Sequence, residues 1–417
     1  MLVIYTRKYV LRLLMVCTAM GMFFNSAGAQ VFEFTGNRKR ETIPFTLVKN
    51  LMVIPLTING AGPYNFVLDT GMGLFLITNP DLIDSVKMQN LRSIRIQGFG
   101  AGEELSALVA PSLEITIGST RAKNVAAAVL KEDLFNLSSF AGMPIHGLIG
   151  YDFFNSFIVR ISYASNTITI YRPETGYIPR KGNKIPITIE NRKPYLVADV
   201  DLGNGKKLPA KLIIDTGAGH PLSLETYNGK PFEVPKVNIS ANLGVGLMGA
   251  ITGYIARIPS VKLGKYTLHN VIASFPNYAE VGARVQELQR NGNMGNSILK
   301  HFEVVFDYGR EAIYLKPSPF FKEPFEHDMS GMELSSGGTD FRRVMVTRVE
   351  PYSAAEEAGL AKGDEILSIN FKPVADMTMQ EIDNLFRSRD NRGFILEILH
   401  QGSKTKTRVI MTLQRRI

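Results

Sequence analysis

The spacing of apolar residues along the chain predicts a protein made mainly of short strands. From 45 to 59 apolar side chains fall in strand-like runs, and Phe66-Val67-Leu68 follows as another. The segment 195–202 alternates with period two, as a half-buried strand does, and Leu212-Ile213-Ile214 follows it. Runs at 157–163 and 302–308 are each closed by a further run, Ile168-Thr169-Ile170-Tyr171 and Ala312-Ile313-Tyr314-Leu315. Beyond these the character changes. Pro317, Pro319 and Pro324, with Glu326-His327-Asp328, mark a linker. Strands are then expected at 344–349, 365–370, 394–399 and 407–413. A short helix is expected after Pro351, and a second at 379–387, where Ile382, Leu385 and Phe386 have helical spacing.

These runs form two similar series. Phe66-Val67-Leu68 leads into Asp69-Thr70-Gly71, and Leu212-Ile213-Ile214 leads into Asp215-Thr216-Gly217, 146 positions later. Each triplet is followed by a second glycine, Gly73 or Gly219, and a Leu-containing run. Each series closes alike, with Leu148-Ile149-Gly150 before Phe153-Phe154 and Asn293-Met294-Gly295 before Ile298-Leu299, at an offset of 145. One Asp-Thr-Gly after an apolar strand is good turn chemistry. A duplicated β domain with two turns is the plain alternative. Two copies in matched contexts favour chemistry, because equivalent loops meeting on a twofold axis bring Asp69 and Asp215 face to face. Two carboxylates so placed share one proton. The ionised member can take a proton from water while the protonated one polarises a carbonyl.

At these residues the chain resembles the pepsin-like and retropepsin-like aspartic peptidases, over roughly 43–317. The resemblance implies that Asp69 and Asp215 are the catalytic dyad. It implies that Thr70 and Thr216 exchange hydrogen bonds across the axis, and that Gly71 and Gly217 let the backbone approach the carboxylates. Leu148-Ile149-Gly150 matches the family's later apolar-apolar-glycine motif, whereas Asn293-Met294-Gly295 matches it in part. Gly73 and Gly219 stand where pepsin-like enzymes carry Ser or Thr, so no donor to the ionised carboxylate is expected there, and with it a less acidic pH optimum. The expected flaps are glycine-rich hairpins at 94–107 and 238–253, nearer the retropepsin pattern. The segment 331–413 resembles a bacterial PDZ domain through Pro351-Tyr352-Ser353-Ala354-Ala355, Ala358-Gly359-Leu360 and Gly363-Asp364-Glu365-Ile366-Leu367. By that resemblance Gly331, Met332, Glu333 and Leu334 form the loop that caps a peptide's C-terminal carboxylate, and the adjoining strand pairs with the peptide. A structural module with a closed groove is the plain alternative.

Composition changes the picture little: 45% hydrophobic, 20% charged and a formal net charge of +9 over 417 residues describe an ordinary globular chain. No dense basic block with interleaved aromatics suggests nucleic acid. Arg7, Lys8 and Arg12 precede an apolar stretch at 13–24, and Ala27-Gly28-Ala29 supplies a small-x-small cleavage pattern. That stretch is well short of the ~20 residues of a membrane span. An exported protein is expected, periplasmic or extracellular, with outer-membrane association left open. Cys17, the single cysteine, lies in this segment. Gly244-Val245-Gly246-Leu247-Met248-Gly249 fits a dinucleotide fingerprint, but no acidic residue follows at the required distance and a hairpin tip is expected instead. The six histidines lack metal-ligand spacing, so neither metal nor cofactor is expected. His220, five residues past Asp215, is expected to be a loop or supporting histidine.

The fold expected is mostly β: bilobal aspartic-protease-like β domains followed by an α+β PDZ domain. The boundaries are a signal peptide at 1–29, lobes at 30–180 and 181–318, and the PDZ domain at 331–417. The expected function is an exported aspartic endopeptidase acting on polypeptides, with the PDZ domain binding peptide C-termini. The competing reading is a peptide-binding protein on a degenerate peptidase fold.

Overall fold

In the computed structural model four sheets organise the described residues, which are 31–96, 105–203, 205, 207–246, 249–279, 281 and 289–417. The expected signal segment 1–29 with Cys17, residues 97–104 of the first expected flap, and Leu247 and Met248 of the glycine-rich motif lie outside them.

The sequence repeat is a repeat of topology. The first half is built on a nine-stranded sheet and the second on an eight-stranded one. Ala61–Leu68 delivers Asp69 and runs parallel to Gly147–Ile149, which pairs antiparallel with Phe75–Ile77. Lys207–Asp215 carries the second aspartate and runs parallel to Gly292–Gly295, which pairs antiparallel with Leu222–Leu224. The registers correspond, with Leu148 opposite Val67 and Asn293 opposite Ile213. These aspartate-bearing strands end in continuous apolar runs because both their faces are covered; Phe66, Leu68, Leu212 and Ile214 are fully buried. Both expected flaps are hairpins. Arg92–Ile96 pairs with Leu105–Ile117, and Asn238–Gly246 pairs with Gly249–Leu263.

A third sheet takes three strands from each half, in mirrored order. At its centre Ile158–Ser162 pairs antiparallel with Phe302–Asp307, Arg160 facing Val305. Those two positions differ by the same 145 as the repeat, so the pseudo-twofold axis passes through them. The rings of Phe154, Phe306 and Tyr308 pack together here, with centroids 5.1–6.3 Å apart, and one apolar core runs through both halves. The halves share an interior, and their relative position is fixed by it.

The C-terminal sheet has Met332–Gly337 at one edge and encloses its own core with the helix Met379–Phe386. That helix begins in a capping box, Thr378 and Glu381 satisfying each other's backbone N–H. The proline-rich linker is tied down against the second half and the C-terminal end of the chain. Phe325 is buried on the His301 ring, and Arg257 donates to the Phe325 carbonyl at 2.9 Å and to the Ile417 carbonyl at 3.4 Å.

Candidate active site

The two Asp-Thr-Gly loops meet at the pseudo-twofold axis and interlock. The Thr70 N–H donates to Thr216 Oγ1 at 3.0 Å, and the Thr216 N–H donates to Thr70 Oγ1 at 2.9 Å. Each hydroxyl then donates onward to the opposite strand, Thr70 to the Ile214 carbonyl at 2.6 Å and Thr216 to the Leu68 carbonyl at 2.8 Å. Both threonines are fully buried, so these four bonds replace water for every polar group involved.

The aspartates come together as a consequence. The Gly71 N–H donates to Asp69 Oδ1 at 2.7 Å and the Gly217 N–H to Asp215 Oδ1 at 2.9 Å, which turns each carboxylate inward. A Cβ on Gly71 would stand 2.9 Å from the Asp215 carboxylate, and one on Gly217 only 2.2 Å from that of Asp69. Glycine is required because each backbone passes against the opposite acid. Asp69 is 6% exposed. Burial first, then the Asp215 charge and a hydrogen bond with Asp215, push the Asp69 carboxyl well above the usual carboxylate range.

Beneath the loops the apolar-apolar-glycine turns fit as closely. A Cβ on Gly150 would lie 2.1 Å from the Asp69 carbonyl oxygen, and one on Gly295 would lie 2.2 Å from that of His220. Gly219, where Ser or Thr was the family's residue, has a Cβ direction only 2.5 Å from the Lys49 carbonyl oxygen. Gly73 abuts Arg192 in the corresponding way at 3.3 Å. The turns Lys49-Asn50 and Asn191-Arg192, all four residues at positive φ, reach across from the opposite half and fill the space a hydroxyl would need.

The donor absent at those glycines comes from elsewhere. Asn293 Nδ2 donates to Asp215 Oδ2 at 2.5 Å. This corrects the expectation that the ionised carboxylate lacks a side-chain donor. His220 is half-buried beside Asn293 and Asp215, its Nε2 shut off from solvent, and desolvation lowers its basicity against the pull of the Asp215 charge. Lys193 lies within electrostatic reach of both aspartates, and Glu225 and Arg290 form a buried bidentate pair, both bonds 2.9 Å. Lys193 and this pair went unnoticed in the sequence, and Asn293 was read only as part of an imperfect motif. Only Asn293 left a signal, as a polar residue where the first half has Leu148. Among the described residues no group of three or more His, Cys, Asp or Glu side chains is gathered as a metal site needs, and no helix is long and apolar enough to cross a membrane.

At the expected peptide groove, Gly331, Met332, Glu333 and Leu334 do lie where the resemblance puts them, at the start of the edge strand. Two of their donors, the N–H groups of Gly331 and Met332, are already used. The Asp328 carboxylate accepts from the N–H groups of Ser330 and Gly331, both at 2.9 Å, and the Met332 N–H donates to Ser330 Oγ at 3.1 Å. Burial pushes the Asp328 carboxyl up to about 6 against these bonds. The groove itself is occupied. Lys49 of the first half enters it, lined by Met332, Leu334, Met379 and Phe386, and donates to the Leu334 carbonyl at 3.2 Å. Glu333 accepts from Asn242 of the second flap at 3.2 Å. An open carboxylate cradle is therefore not what this arrangement presents. Lys49→Glu, which sets an acid against Asp328, Asp383 and Glu333, is expected to weaken this docking. Hydrogen exchange along Met332–Gly337 should speed up by about 5–30-fold, the equivalent of one or two kcal/mol. Unchanged exchange would show that Lys49 does not hold the groove shut.

Residues 54–153 match the family model of an aspartyl protease, and residues 345–399 match that of a PDZ domain. Among solved structures, an aspartic proteinase from Irpex lacteus covers 68% of this chain and 99% of its own, at 12% identity and a TM-score of 0.41. The photosystem II D1 C-terminal processing protease covers 20% of this chain and 22% of its own, at 21% identity and a TM-score of 0.19. The search of curated proteins returned no match.

Proposed function

We propose that this protein is an aspartic endopeptidase that hydrolyses polypeptides with a water molecule activated between Asp69 and Asp215. The observation that carries the reading is the interlocked pair of loops, in which each glycine lies against the opposite carboxylate. Asp69, with its raised affinity for a proton, is the member suited to hold the shared one. The ionised partner takes a proton from water as the water oxygen bonds to the peptide carbonyl carbon, and the protonated acid hydrogen-bonds the carbonyl oxygen. The proton then passes to the amide nitrogen as the C–N bond breaks, leaving one carboxyl and one amino terminus. No covalent enzyme intermediate is formed.

Export is part of the proposal and rests on the pattern at 1–29. Capture of peptide C-termini by the PDZ domain is also part of it, and requires Lys49 to leave the groove and Asp328 to release the loop amides. The test is incubation of the purified protein with an unfolded polypeptide, with and without a statine-type inhibitor. Internal cleavage abolished by the inhibitor is expected. Saturable peptide binding without cleavage would favour the non-catalytic reading instead.

A further inference from the structure

The dyad is symmetric in its backbone and asymmetric in its side-chain surroundings. Both carboxylates accept one N–H from their own loop glycine. Apart from the bond between the two acids, and among the described residues, Asp215 alone of the pair also accepts a side-chain hydrogen bond, from Asn293 Nδ2 at 2.5 Å. Asn293 is 9% exposed and occupies the register position where the first half has Leu148, which faces apolar neighbours and has nothing to donate.

We propose that Asn293 is a positioning residue that breaks the equivalence of the dyad, holding Asp215 as the ionised carboxylate that activates water and leaving the shared proton on Asp69. This rests on the peptidase reading for its catalytic meaning, though the asymmetry itself does not. An amide N–H stabilises a carboxylate far more than a carboxylic acid, so its placement on one oxygen selects which acid ionises. The orientation of the amide is supported from behind. Asn293 Oδ1 and His220 Nε2 are both buried, the two side chains interact with each other, and neither atom has another hydrogen-bond partner among the described residues. A neutral imidazole protonated on Nε2 complements that oxygen and disfavours the flipped amide, which would turn its oxygen to the carboxylate. Burial disfavours the charged form of His220.

Other charged and titratable groups also face the dyad. Lys193 feels the charge of both acids and of the Glu225–Arg290 pair, and Tyr308 feels that of Asp69. The substitution tested leaves all of them in place, so a change on removing the Asn293 amide is referred to that amide.

The test is Asn293→Leu, which installs the first half's residue, read in two ways. In the pH profile of kcat/KM the acidic limb should move up by about 1–2 pH units, the effect of losing one hydrogen bond to a charged group. The alkaline limb should stay, because Asp215 is ionised on both sides of the second ionisation. A merely structural role would lower the whole profile and move neither limb. Independently of turnover, the protein carrying 13C-labelled aspartate carboxyls should show the dyad's first ionisation displaced upward by the same amount. The dyad's signals are identified by their loss in Asp69→Asn and Asp215→Asn. A first ionisation that does not move in folded Asn293→Leu overturns the proposal. Should that variant not fold, Asn293→Asp, nearly identical in shape, replaces the donor by an acid and must move the same ionisation upward; no movement overturns the proposal equally. Absence of statine-sensitive cleavage in the unsubstituted protein would count against the peptidase reading alone, since the 13C titration still decides the role of Asn293.

Discussion

Asp69→Asn and Asp215→Asn are each expected to lower kcat/KM by at least about 10²–10⁴-fold, the range associated with loss of a positioned general acid or base. The double substitution should be little worse than either single one, because in the proposed mechanism the two carboxyls act on one water as a unit. Stability should move the other way for Asp69. Its carboxyl in the fold is held well above the usual range by burial and by Asp215, so the folded chain binds that proton more tightly than the unfolded chain. The resulting stabilisation is fully present below the ordinary carboxylate value and is lost as pH rises through the dyad's titration. Asp69→Asn cannot ionise, and at neutral pH it should unfold no more readily than the unsubstituted protein. Steady-state kinetics and urea titrations at acidic and neutral pH check both parts. Near-normal activity in either single variant would contradict the shared site.

The second large effect concerns the Glu225–Arg290 pair, 7% and 5% exposed respectively, with two bonds of 2.9 Å. Arg290→Met leaves the Glu225 carboxylate buried without its main partner. Burial already disfavours that carboxylate, and the arginine is what opposes the effect. Destabilisation of about 3–5 kcal/mol is expected, with Glu225 taking up a proton as its escape. The combined replacement Glu225→Met with Arg290→Met should be much less damaging, because it removes both desolvated charges together. Denaturant titrations of the two variants decide this. Equal losses in both would mean that the pair acts through shape or through other partners, not through its charges.

How far the molecule was legible depended on what each feature needed in order to show. The two halves were visible because a parallel strand covered on both faces must be apolar throughout, and because the glycines at 71, 150, 217 and 295 each meet the opposite acid or a carbonyl within 2.9 Å of where a Cβ would stand. Steric demands of that kind leave one residue type, and so they survive in a single sequence. The departures at Gly73 and Gly219 were visible but their cause was not. It lies in turns at 49–50 and 191–192 that arrive from the opposite half, and the spacing of residues along the chain does not record which turn will pack there. Asn293 was noted as an imperfect match to an apolar motif. That its amide reaches Asp215 follows only from the register of Gly292–Gly295 beside Lys207–Asp215. The PDZ domain was read from its own pattern, while the filling of its groove by Lys49 is a contact between segments 285 residues apart, which no local pattern could announce.

The central claim is that Asp69 and Asp215 form one site for a peptide-like transition state. It is tested most directly by calorimetric titration of a statine-type peptide, whose hydroxyl stands in for the attacking water, into the protein and its two Asp→Asn variants. Saturable binding at one site per chain is expected for the unsubstituted protein, with binding lost or strongly weakened in Asp69→Asn and Asp215→Asn alike. Absent binding to the unsubstituted protein, or binding left intact by either substitution, would contradict it.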